Sequence, residues 1–524
     1  MAPDLALCPS DRPVVFDRVG PRGDSGASAS GFGEAGFTVS LWLCPEVFFV
    51  LAGVGLILTD CLSSSGGRRA LGPLAVGLAL ALFFWTAFTA GRPLPASWGN
   101  LLVTDGLSAM FKPFFAICLV AVTLMSARYQ LGSDEAVRGE LLALPFFPTA
   151  GLCLLASARD FLAVFVALEL VSISLYLLTA FHRAKPASLE AGIKLLVMGG
   201  LSTGFLIMGI AWLYAAAGTT EFSRLLLEQA GKPASPALLA AAGLILTGLA
   251  FKVAAVPFHA WAPDVYEGAP TPITAFLAVA SKAAGFVLLL RIFGFGAFAL
   301  ESIGQVFRPV ILTLGIATVT LGTLAALPQR DLKRLLAYSG IAHAGYMLLA
   351  LGTLGEAGLA TVVAYLWAYL LATLPTLIFL NELERIHGST DMRHLDGLAR
   401  RDPGPALGLT LCLLSMAGLP PLVGFSVKLA VITTLWNAGE TPALVIAVVM
   451  AVAALGFYLS PIKAMYWERE PDSIPAKRFP IFLVWIVLLA GLANLFLGLY
   501  PRPLVRLAER SLAPHPASFS IPQK

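Results

Sequence analysis

The sequence predicts an all-α, polytopic membrane protein of about 14 transmembrane helices, arranged as two inverted five-helix repeats that each contain a broken helix. Three observations predict this fold. The 524-residue chain is 58% hydrophobic and 13% charged, roughly half the charged share of a soluble domain. Fourteen apolar runs are long enough to cross a bilayer, and two of them, five helices apart, are interrupted by proline.

The first forty residues differ from the rest of the chain. They are polar and rich in Gly, Ser and Pro, which is typical of a disordered extension. A membrane span needs roughly 20 mainly apolar residues. The segments that meet this requirement are 41–62, 70–90, 106–127, 139–158, 160–181, 189–216, 237–263, 271–294, 306–328, 331–353, 357–380, 405–433, 442–467 and 479–500.

The basic residues between these spans are distributed unevenly. With the N-terminus outside, the predicted inner loops carry sixteen Lys and Arg residues, whereas the outer connections between helices carry five. Inner loops are normally the basic ones. The pattern therefore predicts fourteen spans with both termini on the outer, periplasmic face. The expected divisions are an extension (1–40), N-terminal helices (41–138), a first repeat (139–294), a second repeat (306–467) and a C-terminal helix with a tail (479–524).

Two of the spans contain a helix-breaking sequence. The span 237–263 is interrupted at Pro257, and the span 405–433 at GLPPLVGF, which contains Pro420, Pro421 and Gly424. Paired broken helices in inverted repeats mark the ion or substrate path of transporters. The alternative is that these prolines only kink their helices, as prolines commonly do in membranes.

Five charged residues fall well inside predicted spans. Each costs about 2.5–3.5 kcal/mol at the bilayer centre, so they must face the bundle interior, contact water or pair with one another. A single such residue could equally be a structural ion pair, but five on five helices predict a chain of proton-carrying groups. The five are Glu169, Lys194, Lys252, Lys282 and Lys428.

Glu169 and Lys194 are candidates for a pair that controls a proton. If Glu169 and Lys194 approach to about 7 Å at an effective dielectric near 20, their attraction is about 2.4 kcal/mol. Such an attraction could switch the lysine between holding and releasing a proton. Glu169 shares a helix face with Ser172 and Tyr176. Glu190, one turn before Lys194, is a second candidate partner for that lysine.

Two histidines are weaker candidates. His259 follows the Pro257 break, where a structural hydrogen bond to a freed carbonyl is as good an explanation as proton relay. His343, in YSGIAHAGYMLL, lies on the helix that the repeat equates with that of Glu169, which favours relay. Other charged residues have simpler explanations. Arg330, Lys333 and Arg334 are expected to anchor topology, Lys112 to snorkel, and Glu46 and Asp60 to make packing or subunit contacts.

No cofactor or metal site is expected in this chain. The six cysteines are scattered without a CxxC or Cys/His cluster, so we interpret them as small core residues. The sequence contains no motif for haem, iron–sulfur clusters, nucleotides or flavin, and no nucleic-acid partner is expected. Redox chemistry within the chain is therefore not expected.

Three stretches carry a family resemblance. They are FKVAAVPFHAWAPDVYEGAPTPITAFLAVASKAAGF, DLKRLLAYSGIAHAGYMLLAL and GLPPLVGFSVKLAV. They resemble the membrane subunits related to Mrp-type cation/proton antiporters. Within that group the chain is most similar to the subunit N family of the proton-pumping NADH–quinone oxidoreductase, respiratory complex I. The resemblance runs from about residue 45 to about 500, and ASK with Lys282 is more typical of subunit N than of its relatives.

The resemblance implies roles for the site residues. Glu169 and Lys194 would form the glutamate–lysine pair of one half-channel, Lys252 and Lys282 the central relay, and Lys428 the terminal residue on the second broken helix. NADH, FMN, iron–sulfur clusters and quinone would belong to partner subunits. The partners would be the other membrane and peripheral subunits of complex I and the lipid bilayer, in the bacterial inner membrane.

Two alternative functions remain open at this stage. The first is a sodium/proton antiporter subunit of an Mrp-like or membrane-hydrogenase complex, whose charged positions look alike. The second is a solute permease that binds substrate at its broken helices. A permease is disfavoured, because GLPPLVGF and AAVPFHAW offer almost no polar side chains.

Overall fold

The structure is a computed structural model that describes residues 44–63, 70–90, 101–130, 139–294, 298–468 and 479–512. The predicted N-terminal extension, residues 1–40, lies outside this described part of the chain. The described residues form helices joined by turns, with isolated backbone bridges but no extended strand.

The helices follow one another in a simple order. They are α1 (Pro45–Leu62), α2 (Leu71–Thr89), α3 (Gly106–Gln130), α4 (Gly139–Ala143), α5 (Phe146–Ser157), α6 (Phe161–Thr179), α7 (Pro186–Ala217), α8 (Phe222–Gln229), α9 (Pro236–Lys252), α10 (Trp261–Gly268), α11 (Thr271–Ala275), α12 (Lys282–Leu289), α13 (Glu301–Ala326), α14 (Leu332–Gly352), α15 (Glu356–His387), α16 (Leu398–Arg401), α17 (Pro403–Ala417), α18 (Val423–Asn437), α19 (Thr441–Tyr466), α20 (Ile481–Leu499) and α21 (Arg502–Leu512). Two π-helical segments, Phe276–Ser281 and Leu290–Gly294, flank α12.

The fourteen predicted spans are present. Twelve helical segments of the described chain are long and apolar enough to cross a membrane, with α4–α5 and α11–α12 each counted as one segment. Shorter apolar helices complete the two broken spans, α9–α10 and α17–α18. The main boundary differences are extensions: α15 continues to His387 rather than ending at 380. The prediction missed α8 and α21, which lie outside the spans.

The most buried helices carry two of the candidate residues, Lys282 and His343. The span that contains α11 and α12, together with α14 and α15, is almost wholly buried, whereas α19 and α20 expose most of their residues. A helix that is apolar all round and buried belongs to the interior of the bundle. Lys282, His343 and the tyrosines of α15 therefore lie in the centre of the bundle, not on a lipid-facing surface.

The first broken helix ends about one turn before Pro257. A proline removes the helix bonding of the turn that precedes it, which predicts that bonding fails just after Lys252, and α9 does end at Lys252. Ala254 has a left-handed backbone, with φ of 55°, and the Ala255 N–H bonds back to the Ala250 carbonyl at 2.8 Å. This is a common way of ending a helix. The following Val256 N–H donates to Thr318 Oγ1 of α13 at 3.0 Å, so protein groups stabilise the break.

The second break is short. α17 ends at Ala417 and α18 begins at Val423, so Pro420 and Pro421 lie in the break as predicted. Gly424 does not, because it already belongs to the first turn of α18, where its N–H donates to Ser415 Oγ at 3.2 Å. The two broken spans cross in opposite directions, as an inverted repeat requires. The repeat itself stays a prediction.

Loops at one end of the bundle form what we call the basic face, made of residues 180–185, 327–331 and 388–402. Asp331 and Asp391 form a backbone bridge there. The opposite face brings together the loops that contain Leu102, Ala158 and Glu221. α10 and the first turns of α7 and α14 lie at the basic face, which is the predicted cytoplasmic side.

Candidate functional site

Lys252 is the last residue of α9, at the edge of the first break. Its Nζ donates to Ser172 Oγ of α6 at 2.6 Å. Glu169 lies one turn before Ser172 on the same face of α6, accepts a hydrogen bond from Thr203 Oγ1 at 2.8 Å, and is close enough to act electrostatically on Lys252. The structure therefore places Glu169 of α6 near Lys252, which bonds Ser172 on the same face of α6.

Lys194 lies elsewhere, so the expected Glu169–Lys194 contact is not formed. Its Nζ is 2.6 Å from Glu190 Oε1 and 2.6 Å from Asp264 Oδ2. Lys194 and Thr203 are nine residues apart on α7, which places them on roughly opposite sides of that helix. Because Thr203 faces Glu169, Lys194 points away from it. The sequence indicated the Glu190 partner but not Asp264.

Lys282 is buried at the first position of α12. Its Nζ lies 5.5 Å from the centre of the Tyr369 ring, an attractive cation–π arrangement. A methyl group at Gly340 of α14 would lie 2.5 Å from Nζ, so the missing side chain at Gly340 leaves room for the ammonium. One turn along α12, a Cβ at Gly285 would lie 3.5 Å from Lys252 Cβ. The helix of Lys282 thus packs directly on Lys252.

His343 uses both ring nitrogens. Nδ1 is 2.7 Å from the Tyr365 hydroxyl and Nε2 is 2.9 Å from the Tyr458 hydroxyl, which also bonds Ser339. A neutral imidazole donates at one nitrogen and accepts at the other. One tyrosine hydroxyl therefore donates to the ring while the other accepts from it, and a change of tautomer reverses both hydrogen bonds. This arrangement suits a group that takes a proton on one side and gives it up on the other.

Lys428 lies beneath the second break. Its Nζ donates to the carbonyl of Ala417, the last residue of α17, at 2.7 Å. A cation at this position satisfies a carbonyl that the ended helix leaves free. The ammonium also lies 5.2 Å from the centre of the Tyr346 ring. The second break is thus held around a buried lysine.

Aromatic rings join these groups into one line. The Tyr369 ring, which faces Lys282, is 5.1 Å from the His343 ring. Tyr365, bonded to His343, stacks on Tyr346 with ring centres 6.4 Å apart. A cavity of about 10 Å³, enough for about one water molecule, adjoins His343 between α14, α15 and the second broken helix. The resulting central line is Lys282, Tyr369, His343, Tyr365, Tyr346 and Lys428.

His259 lies within the first break and is half-buried. In the described chain, the structure shows no hydrogen bond between His259 and Lys252, Lys282 or Lys428.

The tyrosines of the central line were missed, because a tyrosine in an apolar helix is unremarkable on its own. The signal that could have found them is their spacing: Tyr365 and Tyr369 lie one turn apart on the most buried helix.

Two residues predicted to anchor topology have specific partners instead. Lys333 is buried, donates to the Ala269 carbonyl at 3.1 Å and pairs with Glu384 at 3.1 Å. Arg334 pairs with Asp264 at 2.9 Å and with Glu267 at 2.8 Å. The topology prediction was therefore incomplete, since these side chains bind neighbouring helices.

Lys112 does not snorkel, contrary to the prediction. Its Nζ is 2.8 Å from Glu46 Oε1, and both side chains are buried. Asp60 accepts from the Gly139 N–H at 3.2 Å, in keeping with a packing role. A second ion pair was missed: the buried Arg291 donates twice to the half-buried Asp105, at 2.9 and 2.8 Å, and also to the Ala156 carbonyl.

Metal-ligating side chains do not gather in the described part of the chain. No group of three or more His, Cys, Asp or Glu is positioned there to hold a metal ion. The five cysteines of the described residues form no disulfide with one another, and four of them are buried. The candidate site is thus a line of lysine, histidine and tyrosine side chains.

Two broken helices and a buried line of titratable groups between them define a class of protein, the multi-pass ion-translocating subunits of the membrane. A family model described as the NADH:quinone oxidoreductase/Mrp antiporter transmembrane region matches residues 158–454. This match includes both breaks and the five charged candidates. The chain belongs to the NADH:quinone oxidoreductase/Mrp antiporter family.

Similar proteins agree with this placement. NADH-quinone oxidoreductase subunit N 2 of Solibacter usitatus is 36% identical over 90% of this chain and 97% of the relative. Subunit N of Desulfitobacterium hafniense is 35% identical over 90% and 98%. A chain of respiratory complex I from Thermus thermophilus superposes with a TM-score of 0.74 at 31% identity, covering 89% of this chain and 99% of that one.

A more distant structure shares the fold alone. A chain of the Mrp complex from Dietzia superposes with a TM-score of 0.76 at 21% identity, covering 90% of this chain and 97% of that one. The same architecture therefore serves in complexes of different kinds.

Proposed function

We propose that this chain is the subunit N type of proton-translocating membrane subunit in an NADH–quinone oxidoreductase, respiratory complex I. The names of relatives at 34–36% identity support the assembly. The observation that carries the transport role is the central line. It is a continuous series of contacts from Lys282, beside the first broken helix, to Lys428, beneath the second.

The proposed path begins at the first break. Glu169 stabilises the charged form of Lys252, because an opposite charge nearby favours an ammonium in a low-dielectric site. Loss of that interaction favours passage of the proton to Lys282, whose helix packs on Lys252 at Gly285. His343 then relays the proton between its two tyrosine partners toward Lys428.

The energy for this transport comes from outside the chain. The proposal assigns NADH, FMN, the iron–sulfur clusters and quinone to partner subunits, and assigns to this chain only the movement of protons. The assembly lies in the bacterial inner membrane, with both termini of this chain on the periplasmic face. Its partners are the other membrane and peripheral subunits and the surrounding lipid.

The two predicted repeats would each contribute one broken helix to the proton path. We propose that residues 139–294 and 306–467 are inverted copies, each supplying one broken helix. In this scheme α6 with Glu169 corresponds to α14 with His343. Each of these helices then presents a polar group toward the centre of the bundle.

A second candidate function is a sodium/proton antiporter subunit. The fold shared with the Mrp complex of Dietzia favours keeping it under test. The two functions differ in their need for sodium, because an antiporter exchanges sodium for protons. Proton uptake by sealed vesicles that contain the complex, measured without sodium, therefore separates them. We expect proton uptake in sodium-free buffer; a strict requirement for sodium would favour the antiporter.

The proposed function is tested with Lys252→Ala and Glu169→Ala in the assembled complex. Inverted vesicles report proton uptake per NADH oxidised. We expect both variants to assemble and to lose most of the proton uptake. Lys463→Ala is the matched control, because Lys463 is a mostly exposed lysine that pairs with Glu468 at 3.1 Å. Uptake at the unmodified ratio in Lys252→Ala would remove that lysine from the path.

A further inference from the structure

Asp264 of α10 accepts hydrogen bonds from cations on two other helices. Lys194 Nζ of α7 is 2.6 Å from Oδ2, and the Arg334 guanidinium of α14 is 2.9 Å from Oδ1. Each carboxylate oxygen therefore has its own cation. The side chain of Asp264 joins three helices at the basic face.

The two attachments are unequal. Arg334 also pairs with Glu267 at 2.8 Å, and Glu267 lies one turn after Asp264 on the same helix. α14 thus forms ion pairs with two carboxylates of α10, whereas α7 forms an ion pair with one. If the Lys194–Asp264 contact opens, Lys194 still has Glu190 on its own helix, 2.6 Å away. The contact that can open without leaving an unpaired charge is the one between Lys194 and Asp264.

The exposure of these side chains agrees with a contact that exchanges. The side chains of Lys194, Asp264 and Arg334 are 39%, 34% and 32% exposed. Ion pairs with this access to solvent are weak compared with buried ones, and their loss exposes no desolvated charge. Neither condition holds for the buried Glu46–Lys112 pair.

α10 connects the Lys194–Asp264 contact to the first break and to α14. α10 directly follows the break that begins after Lys252, so a shift of α10 changes the surroundings of that lysine. Arg334 ties α10 to α14, and α14 carries Gly340, which faces Lys282, and His343. A shift of α10 away from α7 is therefore transmitted along α14 to the central line.

We propose that Asp264 is a positioning residue that couples the first break to the central line. In this proposal the Lys194–Asp264 contact opens and closes during turnover, while α10 and α14 move together through Arg334. The proposal rests on the proposed function, because it concerns the same proton path. The competing explanation is a static ion pair that only ties helix ends together.

The test uses Asp264→Asn, Asp264→Glu and Lys194→Gln in the assembled complex in sealed vesicles. We expect Asp264→Asn to lower proton uptake per NADH about fivefold or more, the range of typical couplings between sites. Asp264→Glu should restore most of the ratio, since it keeps the charge. Asp264→Asn combined with Lys194→Gln should be no worse than the more severe single variant, because each single variant already breaks the Lys194–Asp264 contact.

The control is Arg393→Gln, which breaks an ion pair with Asp391 on the same face, where Arg393 is 83% exposed. We expect it to pump normally. If Asp264→Asn does not assemble, Arg334→Gln replaces it, with the same loss expected. A normal ratio in the variant that assembles would overturn the proposal, as would additive losses in the double variant. Lys252→Ala decides the proposed function separately, because Lys252 makes none of these contacts.

Discussion

The ammonium of Lys282 occupies the space that a side chain at Gly340 would need. A methyl group at Gly340 would lie 2.5 Å from Nζ, well inside van der Waals contact. The absence of a side chain at Gly340 of α14 therefore leaves room for the buried ammonium of Lys282. This relationship joins the helix of Lys282 to the helix of His343.

We expect Gly340→Ala to lower proton uptake per NADH. Alanine is the better helix former by about 1 kcal/mol, so a loss of pumping would not come from the helix. It would come from displacement of the Lys282 ammonium and the Tyr369 hydroxyl, which lie 2.5 and 3.0 Å from the added methyl group. Gly204→Ala on α7 is the matched control, because nothing lies within 4 Å of the added methyl group. Equal pumping by the two variants would contradict this account of Lys282.

Removal of the hydroxyl at Tyr365 should interrupt the hydrogen bonds of His343. Tyr365→Phe leaves Nδ1 without its partner at 2.7 Å while keeping the packed ring. Since a positioned proton donor or acceptor contributes at least about a hundredfold to a transfer step, we expect a large fall in the pumping rate. Tyr214→Phe is the control, as Tyr214 is 59% exposed. An unchanged rate in Tyr365→Phe would exclude this hydroxyl from the path.

The first break should depend on Thr318. Thr318→Val keeps the shape of the side chain but leaves the Val256 N–H without its acceptor at 3.0 Å. A buried donor without a partner costs about 1–3 kcal/mol, so we expect a lower melting temperature of the complex. Thr313→Val on the same helix serves as control, because Thr313 is exposed and bonds only its own helix at Pro309. Equal melting temperatures would mean that Thr318 does not stabilise the break.

The Glu46–Lys112 pair should be costly to break from one side. Lys112→Met leaves Glu46 charged and buried, and the loss of one partner of a buried pair costs about 3–5 kcal/mol. We expect a sharp fall in the amount of assembled complex. Combining Lys112→Met with Glu46→Gln should recover most of it, because no unpaired charge remains. Failure of the double variant to recover would show a role for the pair beyond mutual neutralisation.

The sequence predicted the spans well because hydropathy is a local property. The number of crossings, the two breaks and the buried lysines follow from residue types read in order. The partner of Glu169 did not follow, since the rotation of α7 about its axis, which turns Lys194 away from Glu169, is set by packing against α6 and α9. Asp264 was overlooked for a similar reason: its two cations lie seventy residues away on either side.

The tyrosines of the central line show the same limit. Tyr365 and Tyr369 of this line, and Tyr458 beside it, are ordinary residues of apolar helices until packing brings their rings and hydroxyls around His343. Lys112 shows the same limit for a charged residue. Its burial depends on its ion pair with Glu46 of α1, which is far away in sequence. The free-energy cost of a charge in the membrane shows which residues need partners. The tertiary structure determines which partners they have.

The central claim is that protons cross through the line between Lys282 and Lys428. Its most direct test is the number of protons taken up per NADH oxidised by inverted vesicles containing the assembled complex with Lys282→Ala, measured beside Lys463→Ala. We expect NADH oxidation to persist while the Lys282→Ala complex takes up far fewer protons per NADH than the control. An assembled Lys282→Ala complex with the same ratio as Lys463→Ala would contradict the claim.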